Sequence, residues 1–251
     1  MNASVIQLSI APVKGMRLVG ADELELGPTG ARGDRAFCVV DPESKLLLTT
    51  RTPGLLQVVP AWDGTVLSLR FPDGSEVSEP PALGARASTA NYAGRPVHGR
   101  LVGGAHAEAV SAHLGRTVQL LARDERERLA DDAPVTLMSR ASLAALAPEL
   151  DGRTPDARRF RMTIAIAGVQ AWQEHGWGGR AIAAGEALLR GLGPVPRCVV
   201  TTRDPDDGRA DAPVLAALAA LRGKRDVSFG LWCEVAEPGR VRVADPVRVL
   251  A

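Results

Sequence analysis

Cys198 stands in the run Gly193-Pro194-Val195-Pro196-Arg197-Cys198-Val199-Val200-Thr201-Thr202-Arg203-Asp204-Pro205, where a thiol sits beside a guanidinium. The two prolines hold the approach extended and end any helix before it. This predicts Cys198 at the mouth of a strand over 198–202. A neighbouring cation favours thiolate over thiol, and thiolate is the form that attacks or binds a soft metal. The same residues also fit a buried apolar cysteine opening a core strand. Cys38, in Phe-Cys-Val-Val, and Cys233, in Trp-Cys-Glu-Val, fit that second description better, because neither has an adjacent cation. Other familiar chemistries lack their signatures: GxGxxG after a strand, P-loop, HExxH and GxSxG are all missing. His98, His106, His113 and His175 are scattered, which points to packed or solvated roles.

The elements that must position this cluster read as mostly β. Short strands are predicted over 5–10, 24–26, 36–40, 45–50, 55–59, 66–70 and 76–78, separated by turns such as Asp63-Gly64 and Asp73-Gly74. An Ala-rich helix is predicted over 105–114. Further helices are expected over 140–146, with Ser139 as N-cap, and over 212–222, where Asp211 precedes Pro213. Later strands are expected over 163–167, 181–182, 187–190, 227–234 and 241–243. The fold class is mostly β or α+β. It divides into 1–116, an N-terminal β-barrel-like domain, packed on 117–251, a second β-barrel domain with a few helices.

Composition narrows the partners. At 251 residues the chain suits one large domain or two small ones. Lys plus Arg (30) against Asp plus Glu (29) leaves +1, so binding a polyanion over the whole surface is excluded while a local basic pocket is not. Nine aromatic residues are too few for base-stacking platforms, and no nucleic-acid partner is expected. Three lysines against 27 arginines reflect coding bias, which makes Lys14 more informative than any single Arg. Three widely spaced cysteines suit a reducing compartment. With neither a secretory leader nor a long apolar run, the expectation is a cytoplasmic protein with no membrane partner.

Six segments occur in a telling order: Pro12-Val13-Lys14-Gly15, Gly33-Asp34-Arg35-Ala36-Phe37, Thr50-Arg51-x-Pro53, Ser139-x-Ala141-Ser142-Leu143, Arg159-Phe160-Arg161 and Pro196-Arg197-Cys198-x-x-Thr201-Thr202-x-Asp204-Pro205-x-x-Gly208. Together they resemble the MOSC superfamily (the C-terminal domain of molybdenum cofactor sulfurases), preceded by its N-terminal β-barrel domain. The amidoxime-reducing component family shares this layout. The resemblance implies that Cys198 is the catalytic residue and ligates the metal of the molybdenum cofactor (molybdopterin). It also implies cofactor contacts from Lys14, Gly15, Arg35, Arg51, Arg161, Thr163 and Arg197, with the cations serving a terminal phosphate and a polar heterocycle. Asp131 or Asp132 matches an acidic loop residue, and Asp132 is taken as the site residue. Two positions depart from the pattern: Met162-Thr163 replaces Pro-Asn, and Gly15 stands where many relatives carry Ser. No Cys follows Cys233, so no iron–sulfur cluster is expected.

The activity this implies is removal of oxygen from a small N-hydroxylated or N-oxygenated substrate, with electrons from a separate donor protein. Two other classes compete with it. One is a cofactor carrier or sulfur-transfer protein that turns over no organic substrate, and the other is a non-catalytic binding module.

Overall fold

The computed structural model describes residues 3–43, 45–90, 94–130, 132–224 and 226–250. Seven strands close into a barrel. Around the ring run Ile164–Ala167, Val135–Ser139, Ser228–Glu237, Ala187–Pro196, Ala181–Ala184, Pro246–Val249 and Ala3–Ile10, which pairs back onto Ile164–Ala167. Closure leaves the ring itself without an exposed edge. Val135–Ser139 and Ile164–Ala167 run parallel, and parallel neighbours need a crossover between them. The helix Arg140–Ala144 and the 3-10 turns Ala147–Glu149 and Ala157–Phe160 supply it. Ser139 caps that helix as expected, accepting from the Ser142 N–H. Leu8, Leu137, Ile164, Leu189, Leu231 and Cys233 belong to one buried core. A second core, with Met138, Phe160, Met162, Val195 and Phe229, lies beneath the helix Val214–Arg222.

Two further sheets are built mainly from the first half. One orders Ala82–Ala90, Pro96–Gly103, Gln119–Arg123, Phe37–Val40 and Val13–Lys14; the other orders Val59–Trp62, Leu67–Arg70 and Glu76–Glu79. The helix Ala105–Leu114 packs against them through Val110. His106 and His113 bond the carbonyls of Leu67 and Gly54, and are packed residues. The halves interlock: Ala3–Ile10 completes the later barrel, and Gly239–Arg242 pairs with Glu23–Gly27. The fold is mostly β, and no helix among the described residues is long and apolar enough to cross a membrane.

Three expected strands are absent, each for a local reason. Over 45–50 only Leu46 and Leu47 make isolated bridges. Residues 55–59 give way to the helix Pro53–Gln57, because Pro53 is preorganised for a first helical turn. Over 198–202 the chain coils into the 3-10 turn Val199–Thr202. Its hydroxyls close that turn: Thr201 Oγ1 donates to the Cys198 carbonyl at 3.1 Å, and Thr202 Oγ1 to the Val199 carbonyl at 2.6 Å. Asp211 does not cap the Val214–Arg222 helix; Pro213 occupies that position.

A buried carboxylate secures the crossover. Glu174 accepts from the Ser139 N–H at 3.1 Å and from Ser142 Oγ at 2.9 Å, wholly out of solvent. Glu174→Ala leaves the buried Ser139 N–H without an acceptor and Ser142 Oγ with only the Ser139 hydroxyl, at 2.9 Å, as acceptor, and should lower stability by about 2 kcal/mol. Urea unfolding checks this through a lower midpoint at unchanged slope; an unmoved midpoint contradicts it.

Candidate functional site

The open end of the barrel meets the first half around a cavity of about 340 Å³. Lys14, Gly15, Arg35, Asp132, Arg161, Thr163, Arg197 and Cys198 all line it. Arg51 does not. Its side chain is exposed, and its N–H is turned back onto Thr49 Oγ1 at 3.2 Å as the chain enters the Pro53–Gln57 helix. Asp131, the other acidic candidate, lies outside the described residues. A second groove of about 750 Å³, around Trp62 and Leu83, holds none of the candidates.

Each side chain is held by its own element. Cys198 is exposed at the start of the 3-10 turn Val199–Thr202. Arg197, before it, turns inward: Nε and Nη2 donate to the Phe229 carbonyl at 3.0 and 2.6 Å, and Nη1 to the Phe160 carbonyl at 2.9 Å. Most of its donors are therefore engaged within the protein, and what it presents to the cavity is mainly charge. Burial pushes its guanidinium down to about 9, opposed by Cys198, which leaves it protonated at neutral pH. Arg161 caps the 3-10 turn Ala157–Phe160 in a left-handed conformation (φ 52°) and donates from Nη2 to the Met16 carbonyl at 2.8 Å. Burial, reinforced by Arg35, also lowers it to about 9.

Lys14 is buried and donates from Nζ to the Leu129 carbonyl at 2.6 Å, tying down the loop that leads to Asp132. Gly15 has φ 91°, and a Cβ there would lie 3.2 Å from the Thr49 carbonyl carbon. Arg35 pairs with Asp34, whose other oxygen accepts from the Ala11 N–H at 2.8 Å. Thr163 and Thr136 exchange bonds: each backbone N–H donates to the other's hydroxyl, at 3.0 and 3.3 Å.

Thr136 and Trp232, not singled out in the sequence, also line the cavity, as does Arg159, whose place in the Arg159-Phe160-Arg161 segment pointed to a surface or packing role. Of those two roles the structure shows packing: Arg159 is buried and forked onto Asp211 by two bonds of 2.7 Å. Trp232 stands opposite Thr136 in the strand register; only the apolar run from Phe229 to Cys233 hinted at it. Arg35 and Arg159 have carboxylate partners, whereas Arg161 and Arg197 form no ion pair among the described residues. A thiol beside positive charge without a matching carboxylate suits an anionic ligand that offers a soft metal. Among the described residues, no group of three His, Cys, Asp or Glu is arranged to hold a metal alone.

A closed barrel with this thiol at one end and a second β domain against it defines the class. The MOSC domain profile matches residues 124–248, and the MOSC N-terminal beta barrel domain profile matches residues 2–118. The chain belongs to the MOSC family. It is 27% identical to mitochondrial amidoxime-reducing component 1 of Homo sapiens, over 98% of this chain and 83% of that protein. It is 25% identical to mitochondrial amidoxime reducing component 2 of Bos taurus, over 97% and 82%. A molybdenum cofactor sulfurase of Caenorhabditis elegans is 24% identical over 92% of this chain but only 33% of its own length. Among solved structures, the YUAD protein from Bacillus subtilis superposes with a TM-score of 0.49 at 14% identity, over 99% of this chain and 96% of that one.

One titratable group supports the site from behind. His175 Nε2 accepts from the Gly230 N–H at 3.1 Å, next to the Phe229 carbonyl that holds Arg197. The acceptor nitrogen must be unprotonated, and burial, aided by Arg222 and Arg197, pushes this imidazole down to about 4. Because the unfolded chain takes up its proton first, stability should be intact above about pH 6.5 and fall as pH drops toward 4. The expected loss is on the order of 2 kcal/mol after solvent screening. Urea midpoints measured from pH 7 to pH 4 should show this decline, and His175→Gln should flatten it. Parallel profiles in the two proteins would contradict the assignment.

Proposed function

We propose that this chain binds the molybdenum cofactor (molybdopterin) and, loaded with it, reduces N-hydroxylated or N-oxygenated small molecules. The observation that carries the reading is an accessible thiol opening onto a cavity where Arg161 and Arg197 form no ion pair among the described residues. The donor set fits the group. A lone thiolate suits a metal whose remaining positions are filled by pterin sulfur and oxo ligands, and the cations suit its phosphate. The names of the amidoxime-reducing relatives support the reaction class.

In this reading Cys198 is the metal ligand and the catalytic residue. Lys14, Arg35 and Arg161 hold the anionic and heterocyclic parts; Gly15, Thr163 and Asp132 line their edges, and Arg197 contributes positive charge. Arg51 takes no part. When bound, the cofactor supplies two-electron redox chemistry. Removing oxygen from an N–OH group consumes two electrons and two protons and releases water. The electrons come from a separate donor protein, and we place the reaction in the cytoplasm. A carrier or sulfur-transfer role is the second reading, favoured by the open exposure of Cys198.

Protein made in a cofactor-producing host should hold close to one molybdenum per chain, and Cys198→Ser should lose most of it. With a chemical electron donor, the loaded protein should reduce a simple amidoxime. Molybdenum without turnover would support the carrier; metal-free protein in both forms would overturn the cofactor reading.

A further inference from the structure

The loop that follows the Cys198 turn is anchored on the opposite half of the molecule. Asp206 pairs with Arg17 at 3.2 Å, and its carbonyl accepts from Arg17 Nη2 at 2.6 Å. Its carboxylate also accepts from both Nη atoms of Arg158, at 2.8 and 2.9 Å. Arg17 lies just past Lys14 and Gly15, and Arg158 lies in the turn that carries Arg161. One carboxylate therefore joins the loop to both segments that supply the cationic wall. Gln57 Nε2 adds a bond to the Asp207 carbonyl at 3.2 Å.

Gly208 completes the contact. It has φ 78°, and a Cβ there would fall 2.7 Å from the Pro53 carbonyl oxygen. The segments Thr50-Arg51-x-Pro53 and Asp204-Pro205-x-x-Gly208 thus meet each other. Within the loop, Asp204 Oδ1 accepts from the Asp206 and Asp207 N–H groups at 2.7 and 3.1 Å, and Arg203 Nη1 donates to the Gly208 carbonyl at 2.7 Å. The Asp211 N–H donates to the Thr202 carbonyl at 3.1 Å. The loop is braced internally and bonded back to the turn that begins at Cys198.

We propose that residues 203–211 form a strap that positions Cys198 against the cationic wall, with Asp206 as its positioning residue. The functional meaning rests on the reading of Cys198 as a metal-binding thiol; the mechanical claim does not. Exposed ion pairs add little to global stability, so releasing the strap opens this region locally without unfolding the barrel.

Hydrogen exchange on the full-length, cofactor-free protein tests the strap. In Asp206→Ala, amides of 199–211 should exchange about fivefold faster or more, with barrel strands such as Ala187–Pro196 unchanged. Asp206→Glu should restore most of the protection. In the parent, added salt should speed exchange in 199–211, and in Asp206→Ala it should not. Gly208→Ala pushes the loop from Pro53 without altering a charge, and should accelerate the same amides. Unchanged exchange at 199–203 in both Asp206→Ala and Gly208→Ala would overturn the proposal, as would uniform acceleration along the whole chain. Loaded Asp206→Ala should also lose molybdenum faster than the parent on gel filtration. If the parent takes up no molybdenum while exchange responds as stated, the cofactor reading fails and the strap stands.

Discussion

The Arg197 guanidinium joins three segments that arrive at the barrel end from different parts of the chain. Its donors reach the Phe229 carbonyl on one strand, the Phe160 carbonyl on the crossover turn, and Met162 Sδ just past that turn. The rings of Phe160 and Phe229 stack at 3.9 Å, with the cation 5.6 and 6.0 Å from their centroids. Carbonyl dipoles and aromatic faces offset the desolvation of a charge that has no carboxylate partner among the described residues. Cys198 follows Arg197, and Arg161 follows Phe160. The bonds that satisfy one buried cation therefore also set the thiol and the next cation relative to each other.

Topology delivers the rest of the wall. The strand Ala3–Ile10 closes the barrel and runs on into Lys14 and Gly15, so the first half presents its lysine where the barrel opens. The parallel pairing of Val135–Ser139 with Ile164–Ala167 forces a crossover, and its last turn carries Arg159, Phe160 and Arg161. Arg159 is neutralised by Asp211 and Arg35 by Asp34. The local excess of positive charge is thus smaller than the number of arginines suggests, and among the described residues Arg161 and Arg197 contribute to it without an ion pair.

The class of fold was legible in the residues, and most of the residues singled out in the sequence line one cavity, because turn chemistry and short ordered segments are local signals. The Ala105–Leu114 helix and the Ser139 cap were read directly. What escaped was non-local. Strands such as Ala82–Ala90 and Pro96–Gly103 are defined by their pairing, and Ala-Leu-Gly-Ala-Arg has little alternation to announce it. The run Val199–Thr202 is β-branched and yet coils, because its hydroxyls bond back to nearby carbonyls. Arg51 shares a segment with residues near the cavity, but lies outside it because Pro53 starts a helix that packs against Gly208. Arg159 belongs to one of the ordered segments, but no local signal marked its partner Asp211, distant in sequence.

We propose that the Cys198 sulfur binds the metal of a cofactor held by this wall. X-ray absorption at the molybdenum edge tests it most directly, comparing loaded parent with whatever loaded fraction Cys198→Ser retains. The variant should lose one sulfur neighbour and gain an oxygen or nitrogen. An identical sulfur shell in both proteins would contradict it.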